Sequence, residues 1–233
     1  DIIIKRTLIY KGFEYMIKGA VFDMDGLMFD SERLVYETWQ MMMDELGFDY
    51  NLEIFKNTIG LRTDMAENYY NSLYGDSFCY KPLKQKSREI FLSRISQEGV
   101  PVKKGLTELL EFLKSNGLKI AVATSTSAQT AHKIIKMAGV YDYFNAFVCG
   151  DDVKNGKPHP EVFLTAAEKL LLLPTECVAF EDSINGIKSA HSAKMTTVMV
   201  PDYLQPTQDI IPMIDLLCGD LSQAIEFISN NIK

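Results

Sequence analysis

Histidine is scarce in this chain of 233 residues: His132, His159 and His191 make up the whole set. So few imidazoles argue against a histidine-built zinc site. Cysteine is hardly commoner, with Cys79, Cys149, Cys177 and Cys218 and no C-x-x-C pair. At this length and spacing they read as interior thiols rather than as a disulfide framework. Basic tracts are missing as well, and the formal net charge is −7. Neither nucleic acid nor an anionic membrane surface is expected as a partner. No apolar run approaches the roughly 18 residues of a membrane span. The opening stretch, DIIIKRTLIYKGFEYMIKG, lacks the ordered charged, apolar and small-residue regions of a secretory leader. The expectation is therefore a cytoplasmic protein, acting as a monomer. Residues before Met16 read as an extra strand or an extension and are assigned no function.

Apolar residues, by contrast, make up 47% of the chain, enough for one substantial core, and charged residues make up an ordinary 24%. IKGAVF at 17–22 reads as a short buried strand that breaks at Asp-Met-Asp-Gly. Leu34, Val35, Thr38, Trp39, Met42 and Leu46 then recur at spacings of three and four, which predicts a helix over 31–46. Asp30 or Ser31 is placed to cap it and Gly47 to end it. Trp39 and the methionines at 41–43 are expected to pack that helix. Further helices are expected near 63–74 and 82–97. From 105 on the pattern alternates: helix 105–115, strand 118–123, helix 127–138, strand 146–150, helix 160–171, strand 177–180, helix 184–193, strand 196–200, helix 221–230. Strands and helices in alternation predict an α/β fold with a parallel sheet covered on both faces. The simplest organisation is a core of 16–30 and 100–233 with a helical cap of 31–99 inserted after its first strand.

Parallel strands bring their carboxyl ends to one edge, where such sheets bind ligands. Asp23 and Asp25 follow the first strand, and Thr124 and Ser125 the second. Lys157 lies in the loop after the third, and Glu181 and Asp182 follow the fourth. Each alone is unremarkable, since Asp-x-Asp-Gly is often a turn and Glu-Asp-Ser often a helix cap. Their fall at successive strand ends is the signal. Crowded carboxylates repel one another unless a cation intervenes, and oxygen donors without cysteine or histidine favour Mg²⁺. Asp23 and Asp182 are the leading metal ligands, with Glu181 binding directly or through water. Asp23 is then placed to attack phosphorus, and Asp25 to serve as general acid and base. Lys157 would offset phosphate charge and Thr124 would donate to a phosphoryl oxygen. Gly26 permits the sharp turn between them. His159, beside Lys157, is a lesser candidate, and His132 and His191 read as packing or surface residues.

FDMDGLMFDSE at 22–32, AVATST at 121–126, GDDVKNGKPHPEVF at 150–163 and FEDSINGIKSA at 180–190 together resemble the haloacid dehalogenase-like hydrolase superfamily. The likeness is to its small-helical-cap group, which holds β-phosphoglucomutase and sugar-phosphate phosphatases, and it spans 17–230. It implies a Rossmann-like three-layer core with strand order 5-4-1-2-3. It makes Asp23 the nucleophile, Asp25 the acid/base, Thr124 and Lys157 the second- and third-motif residues, and Asp182 a magnesium ligand beside Glu181. The backbone carbonyl of Asp25 becomes a further metal ligand, and Ser125 and Thr126 become phosphate or substrate-loop contacts. Asp25 also favours phosphoryl transfer, because the family's dehalogenases lack an aspartate there. TIGLRTDM at 58–65 resembles the substrate loop of the sugar-phosphate phosphatases and makes Arg62 a substrate contact. β-Phosphoglucomutases carry a histidine early on the first cap helix, and Asp30–Tyr36 has none. The expected activity is therefore a Mg²⁺-dependent phosphohydrolase acting on a small phosphorylated metabolite such as a sugar phosphate, with a phosphomutase of the β-phosphoglucomutase type as the alternative.

Overall fold

Strand β1, Gly19–Phe22, is buried along its whole length. A strand covered on both faces needs apolar side chains in both registers, and GAVF supplies them. In the computed structural model, which describes residues 16–232 apart from 60, 62 and 76, β1 lies inside a parallel sheet. Helices α1 (Ser31–Leu46), α2 (Leu52–Lys56), α3 (Thr63–Tyr74) and α4 (Tyr80–Glu98) come next. The chain then alternates through α5 (Leu106–Ser115), β2 (Lys119–Ala123), α6 (Ala128–Met137), β3 (Ala146–Val148), α7 (Glu161–Leu170), β4 (Cys177–Glu181), α8 (Ile184–Ser192), β5 (Thr196–Met199), β6 (Leu216–Leu217) and α9 (Ala224–Ser229). The sheet among the described residues runs β3-β2-β1-β4-β5-β6. The expected order 5-4-1-2-3 is present, and β6 extends it at the β5 edge.

Two compact units divide the chain. One holds the described residues through Phe29 and from Val102 onward, and the other is Asp30–Pro101. In the first, Val21, Ala121, Ala123, Ala146, Val148 and Ala179 pack with Val162, Phe163, Ala166, Ala167 and Leu170 of α7 and Ala190 of α8. Side chains alternate along a strand, so Phe22 turns to the opposite face, where it stacks on Phe180 with centroids 4.6 Å apart. Each such Val, Leu or Phe taken out of water contributes about 1.5–3 kcal/mol before conformational entropy is counted. The strand register fixes which residues share the sheet's carboxyl edge. Phe22 pairs with Val122 on one side and with Phe180 on the other. Asp23, one residue on, thus stands level with Ala123 and Glu181, and its N–H donates to the Phe180 carbonyl at 3.0 Å.

In the second unit, Leu34, Thr38, Trp39, Met42 and Met43 form the buried stripe of α1. Trp39 stacks on Tyr70 of α3 at 5.2 Å and on Tyr80 of α4 at 5.8 Å. Offset aromatic stacks add about 0.5–1.5 kcal/mol each beyond their buried area. The expected packing role holds for Trp39, Met42 and Met43 but not for Met41 and Leu46, which are 46% and 52% exposed. Met41 lies on the opposite side of the helix from Trp39, and Leu46 is the helix's last residue. Helix α2 has no counterpart in the sequence reading, because LEIFK is barely more than one turn and shows no periodicity. Asn51 starts it by accepting hydrogen bonds from the Glu53 and Ile54 amides. Arg62 and the segment before Met16 lie outside the described residues.

Candidate active site

The carboxyl ends of β1, β2 and β4 converge on Lys157. Its ammonium donates to Asp23 Oδ1 at 2.5 Å, to Glu181 Oε1 at 2.6 Å and to the Ala123 carbonyl at 3.0 Å. Three acceptors match the three protons of an ammonium group. The Lys157 side chain is only 8% exposed, and its Nζ lies 5.1 Å from the centre of the Phe163 ring. The loop that delivers it is fastened from both sides. Glu161 at the start of α7 accepts from the amides of Lys154 and Asn155 and from the Asn155 side chain. Ser189 of α8 donates to the His159 carbonyl at 2.7 Å. The His159 imidazole is 53% exposed and lies toward Glu161.

Glu181 is fully buried, and both of its oxygens are engaged. Oε1 accepts from Lys157, while Oε2 accepts from the Ser183 hydroxyl at 3.0 Å and from the Asp182 and Ser183 amides at 3.2 Å. The Ser183 hydroxyl also caps α8 by accepting from the Gly186 amide at 3.0 Å. A Cβ at position 186 would fall inside the Glu181 carboxylate. Glycine at this position therefore lets α8 pass against the buried acid.

Asp25 is half-buried in the turn that follows β1. Gly26 makes that turn with a φ of 80° and donates its amide to the Phe29 carbonyl. The Asp25 carboxylate accepts from the Thr126 hydroxyl at 2.7 Å. Thr124 is fully buried, and its hydroxyl accepts from the Thr126 amide at 3.0 Å. Ser125 between them is exposed.

Ligand oxygens of Asp23, Glu181 and Asp182 all lie within 4.8 Å of one another, and all three residues are buried. Burial pushes the Asp23 carboxyl well above the usual carboxylate range; Lys157 opposes this, and Glu181 and Asp25 add to it. Burial would lower Lys157, but Asp23 and Glu181 outweigh it and hold the ammonium charged. Carboxylates gathered this closely are eased by a nearby cation. The donor set is all oxygen, so a hard divalent cation of the Mg²⁺ kind fits it.

Residues 20–200 match the family model described as haloacid dehalogenase-like hydrolase. The chain belongs to this family. It is 33% identical over 189 residues to hexitol phosphatase B of Escherichia coli K12, covering 79% of this chain and 84% of that protein. It is also 33% identical over 177 residues to a phosphorylated carbohydrates phosphatase of Thermotoga maritima, covering 76% and 82%. The crystal structure of β-phosphoglucomutase from Clostridium difficile superposes with a TM-score of 0.75 over 93% of this chain and 97% of that one; at 24% identity this likeness speaks for the fold. The haloacid dehalogenase-like core and its inserted helical cap thus account for both units of the chain.

Of the site residues expected in this haloacid dehalogenase-like hydrolase, the structure brings Asp23, Lys157, Glu181 and Asp182 together and joins Asp25 to Thr126. Sequence reasoning missed Gly186, Glu161 and the Ala123 carbonyl, and it read Ser183 only as a helix cap, which it is. Of the three missed, Gly186 alone left a trace, as the glycine two residues into a helix where glycine is unfavourable. Gly186→Ala is expected to displace Glu181 and release Lys157. A clash of this kind costs about 1–3 kcal/mol, enough to lower the melting temperature by roughly 2–10 °C in thermal unfolding.

Proposed function

We propose that this protein is a Mg²⁺-dependent phosphohydrolase acting on a small phosphorylated metabolite of the sugar-phosphate type. The observation that carries the proposal is the position of Asp23, buried at a strand end with one oxygen fixed by Lys157 and Asp182 close by. An acid held in that way has one oxygen oriented and the other available for attack. The substrate class is proposed by likeness to the phosphatase relatives.

The reaction runs in two displacements. Asp23 attacks phosphorus as the ester P–O bond breaks, and Asp25 gives its proton to the departing alkoxide. Asp25, now a carboxylate, takes a proton from water, which attacks the aspartyl phosphate. Inorganic phosphate leaves and Asp23 is regenerated. Lys157 opposes the burial that raises Asp23 and places positive charge beside the phosphoryl group. Thr124 and the loop through Ser125 line the phosphate side, and Gly26 brings the backbone of the first turn close to it. Asp23, Asp182 and the Asp25 carbonyl would hold Mg²⁺, with Glu181 binding it directly or through water. A bound cation of this type supplies charge neutralisation for the phosphoryl oxygens.

A phosphate-release screen over sugar phosphates, nucleotides and small phosphorylated acids tests the reading. Release is expected from sugar phosphates with Mg²⁺, falling at least about a hundredfold with excess EDTA, on the scale of lost electrostatic stabilisation. A coupled assay for conversion of β-glucose 1-phosphate to glucose 6-phosphate, primed with the bisphosphate, runs beside it. Efficient isomerisation with little phosphate release would instead establish the mutase.

A further inference from the structure

The sequence motifs place Thr126 on the phosphate loop, yet its hydroxyl points elsewhere. It donates to Asp25 Oδ2 at 2.7 Å, joining residues 101 positions apart. One O–H proton cannot serve a carboxylate and a phosphoryl oxygen at once, since both are acceptors. The rest of Thr126 is mounted firmly. Its amide donates to the Thr124 hydroxyl at 3.0 Å, and its carbonyl accepts from the Gly150 amide at 2.9 Å. The Thr124 amide in turn donates to the Val148 carbonyl at 3.0 Å. Just beyond, the Ala128 amide donates to Asp151 Oδ1 at 2.8 Å. The hydroxyl that holds Asp25 is thus carried by the ends of β2 and β3, whereas Asp25 itself sits in the turn after β1.

We propose that Thr126 is a positioning residue for Asp25, fixing its carboxyl group and directing its transferable proton to Oδ1; this rests on the phosphohydrolase reading of the site. A hydroxyl donating to Oδ2 is compatible with Asp25 both as acid and as carboxylate, because in neither state does Oδ2 then carry the proton. In the first displacement the Asp23–phosphorus bond forms, the phosphorus–ester oxygen bond breaks, and the proton passes from Oδ1 to the leaving alkoxide. In the second, Oδ1 receives the proton of the attacking water. The Thr126–Asp25 bond persists through both, so the group that moves protons is not itself free to swing.

The test compares leaving groups. Thr126→Val keeps the shape of the side chain and removes the hydroxyl; Thr126→Ser keeps the hydroxyl. The quantity to read is kcat/KM, which covers steps only through departure of the leaving group. On an alkyl phosphate taken from the screen, whose alkoxide needs a proton, T126V is expected to lose about tenfold to a hundredfold. On p-nitrophenyl phosphate, whose phenolate leaves unprotonated, the loss is expected to stay within about threefold. T126S is expected to recover most of the alkyl rate, and KM should change little in either variant. Equal losses on both esters, a change confined to KM, or no loss on the alkyl ester would overturn the positioning role. If the wild-type enzyme releases phosphate from neither ester, the phosphohydrolase reading fails and takes this inference with it. Wild-type turnover with a loss blind to the leaving group overturns the Thr126 role alone.

Discussion

Asp23→Asn is expected to abolish phosphate release, lowering kcat by about 10⁴-fold or more, the scale on which covalent catalysis fails when its nucleophile is removed. The substitution changes charge at nearly constant shape. Asparagine matches the aspartate in size, and its side-chain oxygen can still accept from Lys157 where Oδ1 accepts at 2.5 Å. What is lost is the anionic oxygen that bonds to phosphorus. The fold should survive, because the substitution also removes one negative charge from a buried group of carboxylates that repel one another. A melting temperature equal to or above that of the wild type, together with vanished turnover, is the expected pair of results. Unchanged metal-dependent turnover would remove Asp23 from the chemistry.

Lys157→Met is expected to damage stability and activity together. Methionine fills a similar volume but leaves Asp23 and Glu181 facing each other in a pocket where both are buried. Breaking a buried ion pair from one side typically costs about 3–5 kcal/mol. For a chain of this size that corresponds to a fall of roughly 10 °C in melting temperature. A divalent cation would relieve the same repulsion, so added Mg²⁺ should raise the melting temperature of K157M more than that of the wild type. Activity should stay low even so, down about 10²–10³-fold, because the positive charge beside the phosphoryl group is gone. Lys157→Arg is not expected to rescue, since a planar guanidinium cannot reproduce a compact tripod donating to Asp23, Glu181 and Ala123. Equal Mg²⁺ shifts in both proteins would show that the lysine and the cation do not act on the same carboxylates.

Strand positions and site composition were legible because both follow from local patterns, whereas the strand order came with the family resemblance. GAVF reads as a doubly buried strand, and Asp23 at its end lies at the edge where parallel sheets gather their ligands. Once the alternation of strands and helices is seen, Asp182 and Lys157 follow as candidates by position alone. Orientation was not legible. Glu181 and Asp182 are adjacent, and nothing in Glu-Asp-Ser says that Glu181 turns inward to Lys157 and Ser183. That choice is made by register and by the space left at Gly186. The family resemblance makes Thr126 a phosphate or substrate-loop contact alongside Ser125, and nothing in the sequence signals its hydrogen bond to Asp25. Strand β6 escaped for a simpler reason: Leu216–Leu217 is too short to carry a period.

The central claim is that Asp23 carries the phosphoryl group during turnover. Quenching the working enzyme in acid and treating it with borohydride reduces an aspartyl phosphate to homoserine. Mass spectrometry of the peptide spanning Asp23 then reads the outcome. Homoserine is expected at position 23 in enzyme quenched with substrate, and aspartate there without substrate. Homoserine at another aspartate, or steady phosphate release with no phosphoenzyme trapped at any time point, would contradict that claim.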